Sequence, residues 1–215
     1  ADKTQRKYVS PSSIQIDGLA EKARLTVMGD DFFKNRISTS HVHSNETAAG
    51  TCIHNIFAAY SPVRPRKEMV QMAQDTILSH RLKDCLTDAA SIIASIEELY
   101  SWLEKEYGKA ARIDHELPFR EMVDGTYING SIDLVWYTSW DRKNNTGDAV
   151  LVDFKNVSGK MESLVNPKNE DHYLGQYASQ QITYRNALTR GGISVKDCIL
   201  YLALQGRAVK LDFGE

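Results

Sequence analysis

Two kinds of hydrophobic periodicity divide the chain into a central strand-rich stretch and flanking helical segments. The segments 127–138 and 149–156 are rich in apolar residues, as strands are, and the run 141–148 between them holds turn formers and no apolar residue. This pattern predicts a β-hairpin. A further strand is predicted from 111 to 120, followed by a turn at 123–126 directly before the hairpin.

Apolar residues spaced by three and four positions predict helices on both sides of the hairpin. Two closing strands follow the last of these helices, joined by a short Gln-Gly turn. This order of elements predicts an α/β fold in which helices flank a mixed central sheet. The predicted helices are 46–60, 66–80, 86–107 and 172–190, and the closing strands are 196–204 and 207–213.

The N-terminal segment has a different character from the rest of the chain. Residues 1–45 are polar and interrupted by Ser, Pro and Gly, which predicts an arm or linker, whereas 46–215 carries the regular elements and is predicted to form one domain. The sequence begins at Ala1 without a methionine, so we expect it to be cut from a longer protein or processed.

Composition narrows the function classes only slightly. The 215 residues are 42% hydrophobic and 25% charged, as in ordinary globular domains, and no apolar run approaches the length of a membrane span. The net charge of -2 does not indicate a generally basic surface. It is only weak evidence against nucleic-acid binding, because such binding requires only a local basic groove. Cys52, Cys85 and Cys198 are far apart and lack Cys-x-x-Cys spacing, which predicts reduced thiols in a cytoplasmic protein without a zinc or iron–sulfur site.

Candidate chemistry lies on the predicted hairpin. Asp153 and Lys155 are two residues apart and therefore share one face of their strand. Pairing of the two strands brings Asp133 close to them, so two carboxylates stand within reach of one cation. Carboxylate oxygens suit magnesium-dependent phosphodiester hydrolysis, in which a lysine orients water or offsets charge on the phosphoryl oxygens. The alternative interpretation is an exposed salt bridge at a strand end.

Two helices carry further candidates. His54 belongs to a helix whose apolar stripe is expected to pack on the sheet, so it is either a third ligand or a buried, hydrogen-bonded histidine. Gly50, one turn earlier, lowers helix stability by about 1 kcal/mol relative to alanine, which predicts a close approach to the backbone there. The helix at 172–190 aligns four polar or aromatic residues that suit either a packing face or contact with a nucleic-acid strand. These four residues are Tyr173, Tyr177, Gln180 and Tyr184.

Taken in order, these segments resemble the RecB-type nuclease domain of the PD-(D/E)XK superfamily, found at the C-terminal end of RecB and AddA helicase-nuclease subunits. Each matching element is short and by itself is weak evidence for the family. Five such elements in the family's order are more specific for it. The resemblance implies a restriction-endonuclease-like core with extra N-terminal helices. The matching elements lie at 50–54, 116–119, 130–135, 153–155 and 177–188.

The resemblance also implies roles for individual residues. His54, Asp133 and Asp153 are expected to bind the metal, helped by the carbonyl of Phe154, and Lys155 is expected to be the catalytic lysine. The metal would be Mg²⁺, with Mn²⁺ as an alternative. Glu116 is expected either to take part in catalysis or to brace the site. Gln180 and Tyr184 are expected to contact DNA near the scissile phosphate, together with Tyr177 on the same helix face.

The resemblance further implies the biological setting. The expected activity is that of a DNA exonuclease in double-strand-break repair and recombination, acting on strands delivered by a helicase motor in the same or a partner chain. The chain has no Walker motif, so it is expected to be an excised domain or a free-standing relative. It also lacks the four cysteines that hold an iron–sulfur cluster in AddB-type relatives, so no cluster is expected.

Two other functions are open from the sequence. The nuclease fold could have lost activity and serve as a DNA clamp or regulatory module, although the histidine, both aspartates and the lysine are all present. An iron oxygenase site needs two histidines and one carboxylate, for which His54 would require His115 or His172 as a partner.

Overall fold

A mixed sheet with helices on both faces forms the centre of the protein. The computed structural model describes residues 8–29, 31–37, 39, 46–86, 88–123, 125–168 and 173–214, and within them the sheet has seven strands. The strands are β1 Tyr8–Val9, β2 Arg24–Met28, β3 Arg112–Val123, β4 Thr126–Asp141, β5 Thr146–Lys155, β6 Ile193–Leu202 and β7 Arg207–Asp212.

The strand order is β3-β4-β5-β6-β7-β2, and the short β1 lies beside the N-terminal half of β4. β5 runs parallel to β6, and β1 runs parallel to β4, while the other neighbouring strands are antiparallel. The prediction of an α/β fold with a mixed sheet flanked by helices is therefore confirmed.

The helices are α1 Leu19–Lys22, α2 Glu46–Ala59, α3 Arg66–Ser79, α4 Ala89–Tyr107, α5 Met161–Leu164 and α6 Ala178–Arg190, with 3-10 turns at Pro11–Ser13 and Leu174–Tyr177. The predicted helices α2, α3, α4 and α6 are all present. α4 begins three residues later than predicted, because the Asp88 carboxylate caps it by accepting the Ser91 N–H at 3.1 Å. No helix in the described part of the chain is long and apolar enough to span a bilayer.

Strand alternation divides the core into two layers. Val150, Val152 and Phe154 pack in the layer that contains α2, α3 and α4, whereas Ala149 and Leu151 pack in the layer that contains α6. By the same alternation, Asp153 and Lys155 face the α6 layer. The catalytic candidates on β5 are therefore presented to α6, while α2 reaches the same end of the sheet from the opposite layer.

Three sequence expectations are corrected in detail. The arm 1–45 is not irregular throughout, because β1 and β2 join the sheet and Phe33 and Ile37 are buried in the core. The hairpin turn covers only 142–145, because the β4–β5 ladder continues through the pairs Ser139↔Asp148, Trp140↔Gly147 and Asp141↔Thr146. The last helix begins at Ala178 rather than at 172, after the 3-10 turn, and residues 169–172 lie outside the described residues. The domain boundary between 45 and 46 stays a prediction.

Candidate metal and catalytic site

Three potential metal ligands from three different elements meet at one end of the sheet. His54 comes from α2, Glu116 from β3 and Asp133 from β4, and each offers a ligand atom within 4.8 Å of the other two. His54 Nδ1 lies 3.6 Å from Asp133 Oδ2. Two of these residues were predicted as ligands, and Glu116 was predicted to take part in catalysis or to brace the site.

A distortion of β3 and β4 creates the carboxylate pair. Glu116 has a φ of 46°, in the left-handed region that non-glycine residues rarely occupy, and it lies opposite Asp133 between the pairs His115↔Leu134 and Leu117↔Ile132. Leu134 packs in the α4 layer and Ile132 in the α6 layer, although residues two apart on a regular strand share a face. The strand pair therefore turns over at Glu116 and Asp133. Strain of this kind costs on the order of 1–3 kcal/mol and persists where the surrounding structure imposes it.

The β4–β5 ladder ends beside the second aspartate. Leu134↔Val152 is the last pair, so Asp133 and Asp153 are the first residues past the point where the strands separate. Asp133 Oδ2 replaces the missing ladder acceptor by accepting the Phe154 N–H at 2.7 Å. Asp153 is 1% exposed, and its Oδ2 lies 2.7 Å from Lys155 Nζ. The predicted proximity of the two aspartates and the lysine is thus confirmed.

Lys155 is held by α6 as well as by Asp153. Its ammonium group donates to Gln180 Oε1 at 3.0 Å and lies 4.6 Å from the centre of the Tyr177 ring. The Gln180 amide nitrogen donates in turn to the Tyr184 hydroxyl at 2.8 Å. Of the three residues predicted to contact DNA, Tyr177 and Gln180 therefore contact the lysine directly, and Tyr184 contacts Gln180.

The aromatic residue of the 116–119 element supports the same network. The Phe119 ring contacts the Tyr184 ring edge-on, with centroids 5.4 Å apart. On the other side, the Ser131 hydroxyl donates to Glu116 Oε2 at 2.6 Å, which leaves Oε1 for another partner. The sequence predicts the element but no role for Phe119 or Ser131. Each of them contacts a residue that is distant in sequence, so its role depends on the fold.

The electrostatics of the site favour an added cation. Burial, followed by the neighbouring Asp153 carboxylate, raises the pKa of Asp133 well above its ordinary value. Burial lowers the pKa of His54, which favours the neutral imidazole that can act as a ligand. For Lys155, burial alone acts to lower the pKa, but attraction to Asp153 and Asp133 outweighs it and the pKa is raised. One ammonium group thus faces two carboxyl groups, and Glu116 adds a third to the site.

The donor set fits a hard divalent cation. One imidazole nitrogen and carboxylate oxygens from Glu116 and Asp133 suit Mg²⁺ or Mn²⁺, and Asp153 adds a further carboxylate beside Asp133. No protein-family model matches the chain, and no curated protein matches it significantly. The site is therefore interpreted from its own geometry.

The predicted close approach at Gly50 is confirmed. The Asn156 amide nitrogen donates to the Gly50 carbonyl at 3.4 Å, and a Cβ added at Gly50 would lie 3.2 Å from that nitrogen. Asn156 directly follows Lys155, so this contact fixes the end of β5 against α2 one turn before His54. The small residue allows α2 to approach β5 closely.

Two other sequence candidates lie elsewhere. Tyr173 precedes the 3-10 turn, and its hydroxyl donates to the Ala23 carbonyl at 3.4 Å, so it does not share the face of Tyr177. His115 Nε2 lies 2.6 Å from the Tyr100 hydroxyl of α4. The second histidine required by an iron oxygenase site is therefore not supplied by His115, and His172 lies outside the described residues.

Proposed function

We propose that the protein is a divalent-metal-dependent nuclease that hydrolyses DNA phosphodiester bonds on a restriction-endonuclease-like core. One observation carries the proposal: an imidazole and two carboxylates converge beside a buried aspartate–lysine pair where two strands separate. A metal site alone would suit many functions. The adjacent ammonium group is what favours chemistry on an anionic substrate.

His54, Glu116 and Asp133 would hold Mg²⁺ or Mn²⁺, with Asp153 at the side of the site nearest the lysine. When bound, the cation would polarise the scissile phosphate and lower the pKa of a coordinated water. Lys155 would offset the negative charge that develops on the phosphoryl oxygens. Asp153 and Gln180 fix its ammonium group, so little reorganisation is needed as that charge develops.

The proposed setting follows the resemblance described above. The substrate would be DNA, delivered by a helicase motor in the same or a partner chain during double-strand-break repair or recombination. An inactive clamp is disfavoured, because the three ligands, Asp153 and Lys155 are present together and Lys155 points at the carboxylates rather than away from them.

The decisive experiment measures cleavage of linear DNA in the presence of Mg²⁺. Lys155→Ala and Asp153→Ala are each expected to lower the rate by roughly 10²-fold or more, because the first removes the cation that offsets the developing charge and the second removes the carboxylate that fixes this cation. Arg142→Ala, in the exposed hairpin turn at the other end of β5, is the matched control and should cleave normally.

Circular dichroism on each variant separates loss of chemistry from loss of folding. Normal cleavage by either folded site variant would refute the assignment. Tight DNA binding by the wild-type protein, without cleavage in Mg²⁺ or Mn²⁺, would identify the inactive clamp instead.

A further inference from the structure

A cationic cleft opens at the same edge of the sheet as the candidate site. Its volume is about 840 Å³, and Arg36, Lys160 and Arg207 line it together with the carboxylate of Glu162. Among the residues that the structure describes, neither Arg36 nor Lys160 has an ion-pair partner. The cleft thus presents positive charge that the described structure does not neutralise.

The position of the cleft follows from the parallel pairing of β5 and β6. Their last pair is Lys155↔Leu202, so both strands end at one edge of the sheet. Lys160 lies five residues beyond Lys155, which is at most about 17 Å along an extended chain. Phosphates on one strand of B-DNA are 3.4 Å apart along the axis, so the cleft lies within about five phosphates of the proposed scissile bond.

The segment that carries Arg36 is fixed on both sides. The backbone N–H groups of Lys34 and Asn35 each donate to the Glu98 carboxylate at 2.9 Å, and the Ile37 N–H donates to the Ala203 carbonyl at 3.5 Å. Arg36 lies between these anchors. Its backbone is therefore held in place before any ligand arrives, which lowers the entropic cost of binding.

The opposite wall is fixed in a similar way. The Gln205 amide nitrogen donates to the Gly159 carbonyl at 2.9 Å, which ties the loop after β5 to the turn between β6 and β7. Gly206 has a φ of 57°, and a Cβ there would lie 2.4 Å from the Asn35 carbonyl oxygen, so this turn packs closely on the Arg36 segment. The three parts of the cleft are thus held together by contacts independent of its charged side chains.

We propose that this cleft binds the sugar-phosphate backbone of the strand that is cut, a role that rests on the proposed nuclease function. Arg36 and Lys160 supply charge for phosphates, while aliphatic side chains of Val27 and Met161 line the cleft and offer contact for the sugars. No aromatic side chain is among the cleft-lining residues that the structure describes, so base stacking has no platform there.

The test measures binding in EDTA, where cleavage does not contribute. Fluorescence anisotropy of a labelled single-stranded oligonucleotide is followed between about 0.05 and 0.2 M salt for wild type and Arg36→Ala/Lys160→Ala. Two lost phosphate contacts are expected to lower the salt slope by about 1.4 and the affinity at 0.1 M salt by roughly 25-fold. Arg142→Ala/Lys143→Ala removes two exposed cations from the far end of β5 and should leave both values unchanged.

Three outcomes would overturn the proposal. One is an unchanged salt slope in the folded cleft variant, and another is an equal loss in the hairpin-turn control. The third is weakened binding of inorganic pyrophosphate with unchanged oligonucleotide binding, which would indicate a small-anion site. Failure of the nuclease function is distinguishable, because it would appear as cleft-dependent binding of DNA that the wild-type protein never cleaves.

Discussion

Replacement of Asp133 by asparagine is expected to stabilise the metal-free protein. Burial and the adjacent Asp153 raise the pKa of Asp133 in the folded state, so the folded protein binds a proton at this carboxyl more tightly than the unfolded chain does. A raised folded-state pKa contributes stability below the unfolded pKa and loses it as pH rises through the folded pKa. At pH values above the unfolded-state pKa, the Asp133 carboxyl therefore opposes folding.

The size of the effect follows from this linkage. Each unit of pKa elevation corresponds to about 1.4 kcal/mol, and asparagine keeps an oxygen that can accept the Phe154 N–H now bonded at 2.7 Å. We therefore expect Asp133→Asn to raise the free energy of unfolding in EDTA near pH 7.5 by at least about 1 kcal/mol. The gain should shrink as pH falls through the folded-state pKa, because the wild-type carboxyl is then neutral too.

Addition of Mg²⁺ should reverse the order of stability. A ligand present at 100 times its dissociation constant stabilises the folded state by about 2.7 kcal/mol, and a variant that lacks a carboxylate ligand should gain little of this. Urea unfolding in EDTA and in saturating Mg²⁺, across a pH series, measures both effects. Glu104→Gln, on the exposed face of α4, controls for removal of a surface charge.

The reversal gives the prediction two independent ways to fail. If Asp133→Asn is less stable than wild type in EDTA at neutral pH, burial and the neighbouring Asp153 do not make the Asp133 carboxyl unfavourable for folding. If Mg²⁺ stabilises the variant as much as wild type, Asp133 is not a ligand.

Three further variants test other contacts. Tyr177→Leu should lower kcat for DNA cleavage by roughly 2- to 30-fold, because it removes about 0.5–2 kcal/mol of cation–π attraction on Lys155. Tyr177→Phe keeps the ring and should restore kcat. A change in KM alone would indicate that Tyr177 contacts DNA instead. Gly50→Ala should gain less in urea unfolding than the about 1 kcal/mol that helix propensity predicts, because its Cβ crowds Asn156; the full gain would contradict that contact. Replacement of turn 142–145 by Asn-Gly should leave cleavage intact, and loss of activity in a folded protein would show that the turn is not a dispensable connector.

The elements that sequence analysis located are those in which the signal is local. The stripe of Ile53, Ile56 and Phe57 identifies α2, and the apolar run 149–152 identifies β5, because neither signal depends on which segment the element packs against. The alternation in β2 covers only Arg24 to Val27 and is too short to stand out in the polar N-terminal segment. β2 is an edge strand of five residues, and its partner β7 lies at the far end of the chain.

The candidate site shows the same division between local and distant information. Asp133, Asp153 and Lys155 were placed together because they lie on neighbouring strands of one hairpin. The left-handed backbone of Glu116 has no comparable signal. Glutamate does not favour that conformation, and it arises only where the β3–β4 pair turns over beside α2.

The end of the β4–β5 ladder explains the position of the candidate site. A ladder that continued past Leu134↔Val152 would use the Phe154 N–H in strand pairing, whereas the separated strands direct it to the Asp133 carboxylate. Beyond this point Lys155 is contacted by Gln180 of α6 and by the ring of Tyr177, in the turn that precedes α6. The same break in pairing therefore provides Asp133, a proposed ligand, beside His54 of α2 and an ammonium group fixed by Gln180 of α6. A continuous strand pair would provide neither, so we expect the separation of the strands to matter as much to activity as the individual side chains.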